Sequence, residues 1–272
     1  MNIVAYFKQQ NCLIFLIPLL FSFHHVNSQS INHPTCYGGN RLLKEFIQEE
    51  MIYPSKALQA GIEGTVKLEF FVNKDGSVSN IHVINRVSKE IDAEAIRIFS
   101  KILWHPATEI GIPIQYEYSM EIKFKISKYM KNCKQRGYDF FELPYKPVDS
   151  SNIVYERKQT EKYPSPMFKE KNMNFAKFIA KELKYPDEAF KGNVEGTVKL
   201  RFVVEPSGRI SNIEVIKAVG GGCTGEAIRV IKKLKWHPGI KDNLAVRTIM
   251  PLDLHFDIAK RTVGGAIPSP GQ

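Results

Sequence analysis

The hexapeptide Glu63-Gly64-Thr65-Val66-Lys67-Leu68 returns unchanged as Glu195-Gly196-Thr197-Val198-Lys199-Leu200, at an offset of 132 residues. The same offset carries Tyr53-Pro54 onto Tyr185-Pro186, Gly76 onto Gly208, and Ser79-Asn80-Ile81 onto Ser211-Asn212-Ile213. It also carries Glu94-Ala95-Ile96-Arg97 onto Glu226-Ala227-Ile228-Arg229, Trp104-His105-Pro106 onto Trp236-His237-Pro238, and Phe124 onto Phe256, without a gap. A register kept this long means one domain present twice, because the period is far above that of solenoid repeats. The chain's 272 residues, 43% of them hydrophobic, suffice for two cores of about 100 residues each.

Each copy reads the same way. After the turn at Pro34 to Gly39, Asn40 is placed to cap a helix whose Leu43, Phe46, Ile47 and Met51 share one face. Tyr53-Pro54 ends it, since the residue before a proline is pushed out of helical backbone, and a short turn from Ser55 to Ala60 leads on. Val66, Leu68, Phe70 and Val72 then alternate with Thr65, Lys67, Glu69 and Phe71 up to a turn at Asp75-Gly76, which predicts a hairpin returning through Ser77 to Ile84. Val198, Leu200, Phe202 and Val204 repeat it, with Pro206-Ser207-Gly208 as the turn. A helix follows, with Asp92 and Thr224 as expected N-caps and Ile96, Phe99 and Leu103, or Ile228, Ile231 and Leu234, on its buried face. Final strands alternate through Met120, Ile122, Phe124 and through Leu252, Leu254, Phe256. The order helix, strand, strand, helix, strand predicts an α+β domain, two helices over a three-stranded antiparallel sheet. The expected division is 34–127 and 172–258 for the copies, with 128–171 as a linker holding a short strand at Ile153-Val154-Tyr155 and 259–272 as a disordered tail.

Residues 1–28 read as a signal peptide. Lys8 precedes an apolar run from Cys12 to Phe23, too short for the roughly 20 residues that span a bilayer. Val26-Asn27-Ser28 suits cleavage before Gln29. The alternative is an uncleaved inner-membrane anchor. A formal charge of +10 suits anionic envelope polymers such as peptidoglycan, and export excludes nucleic acid. In an oxidising compartment Cys36 and Cys133, which flank the first copy, are the expected disulfide, leaving Cys223 as a spare thiol.

The repeated residues resemble the C-terminal domain of TonB, the periplasmic end of the bacterial energy transducer that engages outer-membrane receptors. The resemblance rests on Tyr53-Pro54, Gly61-Ile62-Glu63-Gly64-Thr65-Val66, Asp75-Gly76, Glu94-Ala95 and Trp104-His105-Pro106, and on their counterparts from Tyr185 to Pro238. It implies two tandem TonB-like domains in the periplasm that bind and do not catalyse. Such a domain takes an extended receptor peptide by adding it as a strand to the edge of its sheet, so that backbone hydrogen bonds carry affinity. Carried over, the peptide-binding edges are Tyr118, Met120, Ile122 and Phe124 in the first copy and Ile249, Leu252, Leu254 and Phe256 in the second. The implied partner is a TonB-dependent outer-membrane receptor or another envelope protein, and exchange of edges between two chains would give a homodimer. Lys123, Lys125, Asp253 and Asp257 have a second reading, as charges that keep an exposed edge from pairing wrongly. Ile52 and Lys184 stand where well-studied transducers have Gln before the Tyr-Pro. The membrane helix and long Pro-rich spacer of those transducers have no recognisable form here.

No catalytic set is expected, and no metal or cofactor. His105 and His237 sit at a helix-to-strand corner, where packing is the stronger reading. Glu63 and Glu195 lack a second carboxylate at a chemical spacing.

Overall fold

The computed structural model describes residues 31–136, 146–258 and 262–266. The expected signal peptide and the remainder of the tail lie outside the described residues. The first copy consists of α1 (Gly39–Glu50), α2 (Ser55–Gln59), β1 (Gly64–Val72), β2 (Val78–Asn85), α3 (Lys89–Phe99), β3 (Tyr116–Phe124) and α4 (Ile126–Arg136). Its sheet has the order β2, β1, β3, antiparallel throughout. After β4 (Val154–Glu156), the second copy consists of α5 (Phe175–Glu182), α6 (Asp187–Lys191), β5 (Gly196–Val204), β6 (Ile210–Lys217), α7 (Cys223–Ile231), β7 (Gly239–Lys241), β8 (Leu244–Asp257) and β9 (Thr262–Ala266). The fold is tandem α+β.

The strand alternation places Val66, Leu68, Phe70 and Val72 at full burial against Ile91, Ala95, Ile98 and Phe99 of α3. Phe70 is the hub, 4.5 Å from the Phe99 ring and 5.1 Å from Trp104. Each such fully buried large apolar side chain stabilises the fold by about 1.5–3 kcal/mol. Val198, Leu200, Phe202 and Val204 repeat the pattern around Trp236.

Several residues repeated in both copies make the same contact in each. Tyr53 Oη donates to the Ile62 carbonyl at 2.6 Å, and Tyr185 Oη to that of Val194 at 2.7 Å. Glu94 accepts from the Ile52 backbone N–H while Arg97 reaches the Glu50 carbonyl. Glu226 and Arg229 do the same to Lys184 and Glu182, so each Glu-Arg pair clasps the unwound end of the preceding helix. Gly76 and Gly208 adopt φ of 82° and 76°, and a Cβ at either would strike the carbonyl oxygen of Trp104 or Trp236. The turn glycine and the Trp-His-Pro corner therefore form one packing unit.

Helix starts differ from expectation. Ser88 caps α3 by accepting from Ile91, and left-handed Gly38 and Gly222 begin α1 and α7 in place of Asn40 and Thr224. Asp92 and Thr224 instead fasten the strand-to-helix connection, accepting from the backbone N–H of Val87 and of Val219. The start of α3 thus lies one helical turn before Asp92, and those of α1 and α7 two residues before Asn40 and Thr224.

The segments outside the repeat differ most. Residues 126–136 form α4, whose Tyr129 is buried beside Tyr53. β4 arises close to the expected strand and runs parallel to β8. Residues 165–167 pair with 235–237. The expected disordered tail contributes β9, antiparallel to β8. Cys36 and Cys133 are not bonded to each other. Cys36 lies on a two-residue strand opposite Trp104, whereas Cys133 rides on α4, and both are buried thiols of the first core. Burial pushes the Cys36 and Cys223 thiols above their ordinary range, which keeps them protonated and unreactive near neutrality.

The copies are packed together. Leu42 of α1 sits among the buried residues of the second core. Gly38 lies against the Ile213 carbonyl of β6 so closely that a Cβ would not fit. Asn212 accepts from the Leu103 N–H at 2.9 Å and donates to the Lys101 carbonyl at 3.0 Å. Lys232 meets Glu45 and Glu49 of α1 at 2.7 and 3.0 Å. His105 stacks on Tyr37 at 4.4 Å and pairs with Glu214 of β6 at 3.0 Å. The packing expected of this histidine is present, and its partner comes from the other copy.

Candidate strand-addition edge

β3 bonds on one side to the whole of β1, from Gly64 opposite Phe124 to Val72 opposite Tyr116. Among the described residues nothing pairs with its other side. Ile122 and Phe124 are fully buried, while Tyr118 and Met120 are partly buried against the same core. The four expected contact residues thus face inward and hold the strand in place. What a neighbouring strand would meet is the backbone edge and the side chains of Glu121, Lys123 and Lys125, which alternation places on or beyond the opposite face and which an apolar pattern does not pick out.

Beside this edge is a groove of about 300 Å³, walled by α1, β3 and α4. Partly buried Ile47 gives it an apolar wall over the buried Met51, Ile122 and Tyr129, and exposed Lys44, Lys123, Lys125 and Lys128 line it with positive charge. Glu63 shapes its end by accepting from the Ile126 N–H at 2.6 Å, which fixes where β3 gives way to α4.

The corresponding edge in the second copy is taken. Leu252, Leu254 and Phe256 are fully buried and Ile249 nearly so. Beyond β8, on the side away from β5, lie β7 at Leu244 to Val246, β4 at Arg247 to Ile249 and β9 at Asp253 to Asp257. Ile249 to Phe256 is therefore an interior strand, a correction to its reading as an exposed edge. The physical reason is local: the linker and the tail, which carry no repeat signal, both fold back as strands onto it.

Among the described residues no group of three His, Cys, Asp or Glu side chains is placed to hold a metal ion, and no helix is long and apolar enough to cross a membrane.

A small α+β domain present twice, with an unpaired terminal strand in the first copy and a covered one in the second, defines the class of tandem-domain protein to which the chain belongs. The particular family follows from comparison: the model for the Gram-negative bacterial TonB protein C-terminal matches residues 49–126 and again 181–258. The chain belongs to this family, and with it has a TonB-like place in the cell envelope. Among solved structures, it is similar to the solution structure of Helicobacter pylori TonB-CTD residues 179–285, at 22% identity over 31% of this chain and 78% of that one, with a TM-score of 0.24. It is also similar to that of residues 194–285, at 22% identity over 32% and 96%, with a TM-score of 0.25. No curated protein matches the chain.

Proposed function

We propose that this is an envelope binding protein whose first copy receives an extended peptide from a TonB-dependent outer-membrane receptor by strand addition to β3, in support of energy-coupled transport. The observation that carries the reading is the unpaired outer side of β3 beside its groove, against the covered side of β8. Backbone pairing would supply affinity without chemistry, so the reading is one of binding and not turnover. In the proposed division, residues 34–127 act as the receiving copy and 172–258 as its support, following export to the periplasm and removal of residues 1–28.

The test is a titration of the isotope-labelled chain with peptides from the N-terminal region of such receptors, read at the backbone amides. Changes confined to Tyr116 through Phe124 are expected. Changes that concentrate along Ile249 to Phe256, or none at saturating peptide, would sink the proposal. The intact mass of the native protein settles the export reading separately: a species beginning at Gln29 is expected, and one retaining Met1 in the membrane fraction overturns it.

A second reading is a scaffold that binds no receptor. It is favoured by the burial of α1, whose Leu42 and acidic side chains are already committed to the second copy. In that case murein retains the chain on a pull-down and receptor peptides leave every amide unmoved.

A further inference from the structure

The second copy contains, within its own fold, an example of how this kind of groove is filled. β9 lies between α5 and β8, and a Cβ on its Gly265 would come 2.9 Å from Leu254, 2.9 Å from Phe175 and 3.1 Å from Ile179. At the offset of 132 those residues correspond to Ile122, Leu43 and Ile47, and two of the three line the open groove of the first copy. The residues of β8 that pair with β9, Asp253 to Asp257, likewise correspond to Glu121 to Lys125. One groove is thus closed by a strand, and its equivalent, bounded on the far side by α4, has no strand in it among the described residues.

The two differ in charge. The occupied groove has Asp253 and Asp257 on its strand, and the strand that fills it, Thr262–Ala266, carries no charged side chain. In the open groove the matching strand positions bear Glu121 and Lys125, with Lys123 between them and Lys44 and Lys128 on the helices. Among the described residues Lys44, Lys125 and Lys128 have no carboxylate within ion-pairing distance, and Lys123 reaches only its neighbour Glu121, at 4.0 Å. The charged lining of the first copy's groove is thus mainly lysine, where the strand of the occupied one bears Asp253 and Asp257.

We propose that the groove of the first copy takes an extended acidic segment of a partner protein, laid antiparallel along β3 with its carboxylates toward Lys123, Lys125 and Lys128. This rests on the strand-addition reading and adds the chemistry of the ligand. The lysines are exposed, so their contribution is selective and salt-sensitive, and the strand pairing supplies the common part of the affinity.

Fluorescence anisotropy of the full chain with two labelled peptides tests it. Both share one alternating apolar core, flanked by aspartates in one and by lysines in the other. The aspartate peptide is expected to bind about tenfold more tightly at low salt, the scale of two or three exposed charge pairs. The preference is expected to shrink at 1 M salt, where screening reaches about 3 Å. The variant Lys123→Glu, Lys125→Glu, Lys128→Glu, checked for folding by circular dichroism, should reverse it. Equal binding of both peptides with amide changes along Tyr116 to Phe124 overturns the acidic ligand and leaves strand addition standing. Absence of binding by either peptide, or binding that leaves β3 unmoved, overturns both.

Discussion

At positions 132 residues apart the two copies hold the same hydrogen-bonded cluster in opposite electrical form. In the first, Gln115 Nε2 donates to Asn73 Oδ1 at 2.7 Å and Ser79 Oγ donates to the same oxygen at 3.2 Å, at the surface. In the second, Arg247 grips both carboxylate oxygens of Glu205 at 3.0 and 3.1 Å, and Ser211 donates to Glu205. Here Arg247 is 3% exposed and Glu205 1%. The shared geometry comes from the duplicated hairpin and the difference comes from what covers it. Arg247 also donates to the carbonyls of Lys101 at 2.8 Å and Asn152 at 3.0 Å, groups brought by the first copy and the connecting segment. A guanidinium has enough N–H groups to serve all of these acceptors at once, whereas a glutamine does not. Where the first copy has a surface amide cluster, the second has a buried ion pair at the joint between the copies.

The largest expected effect breaks that joint. Arg247→Ala leaves Glu205 buried without a counter-charge and should cost about 3–5 kcal/mol, whereas Gln115→Ala should stay within about 0.5 kcal/mol. Urea unfolding of the two variants would separate them, and equal losses would mean the ion pair is not the joint. Acid sharpens the contrast. Burial alone would push Glu205 up, but Arg247, Lys101 and the hydrogen bonds from Arg247 and Ser211 hold it below the ordinary carboxylate range. A lowered folded-state value gives stability that is complete above the unfolded glutamate value near 4.3 and is lost as pH falls below it. The gap between the native chain and Arg247→Ala should therefore narrow steadily on acidification, and a gap that widens contradicts the assignment.

Next in size is Asn212→Ala against Asn80→Ala. Both asparagines have left-handed backbone, φ of 47° and 51°, which costs an alanine about 1–2 kcal/mol. Asn212 also loses its two bonds to the first copy, roughly 1 kcal/mol each, so it should be the more damaging by about 2 kcal/mol in thermal unfolding. Gly265→Val, which drives a side chain into Leu254, Phe175 and Ile179, should cost about 1–3 kcal/mol. Amide exchange at Asp253 to Asp257 should then accelerate as β9 detaches, and unchanged protection would mean β9 is not held there by packing. Smallest is His105→Phe, which keeps a ring against Tyr37 but gives up Glu214. For a half-exposed pair the change should be under about 1 kcal/mol, and a larger loss would show that this pair helps fix how the copies sit.

What the sequence disclosed and what it did not divide along the same line. The hairpins, helices and Trp-His-Pro corners were legible because each is built from local periodicity and appears twice, so every reading of Phe70 had a check at Phe202. The start of α3 was misplaced because Asp92 has the chemistry of a cap, yet spends it on the Val87 N–H one turn inside the helix. β4 and β9 carry few residues and no second copy, and their pairing with β8 depends on contacts made over 90 residues or by a hairpin without a strong turn signal. The open edge was readable as a strand, but Ile122 and Phe124 were chosen for their apolar character, which in this fold marks the core. The groove's lysines come from α1, β3 and α4 together, and no linear pattern unites them. Comparing the copies position by position for changes of charge would have singled out Glu205 and Arg247 at once, since Asn73 and Gln115 occupy the matching sites.

The parallel pairing of β4 with β8 has a mechanical meaning. Residues between the copies are fixed to the second sheet through Val154 to Glu156, and the Asn152 carbonyl is tied to Arg247. The connection therefore has little slack in its stretch next to the joint. Tension that reaches this stretch meets the short ladder and the ion pair beside it before it can part residues 152–156 from the second sheet. Pulled slowly, this stretch should come away from the second sheet in one step as the ladder gives way.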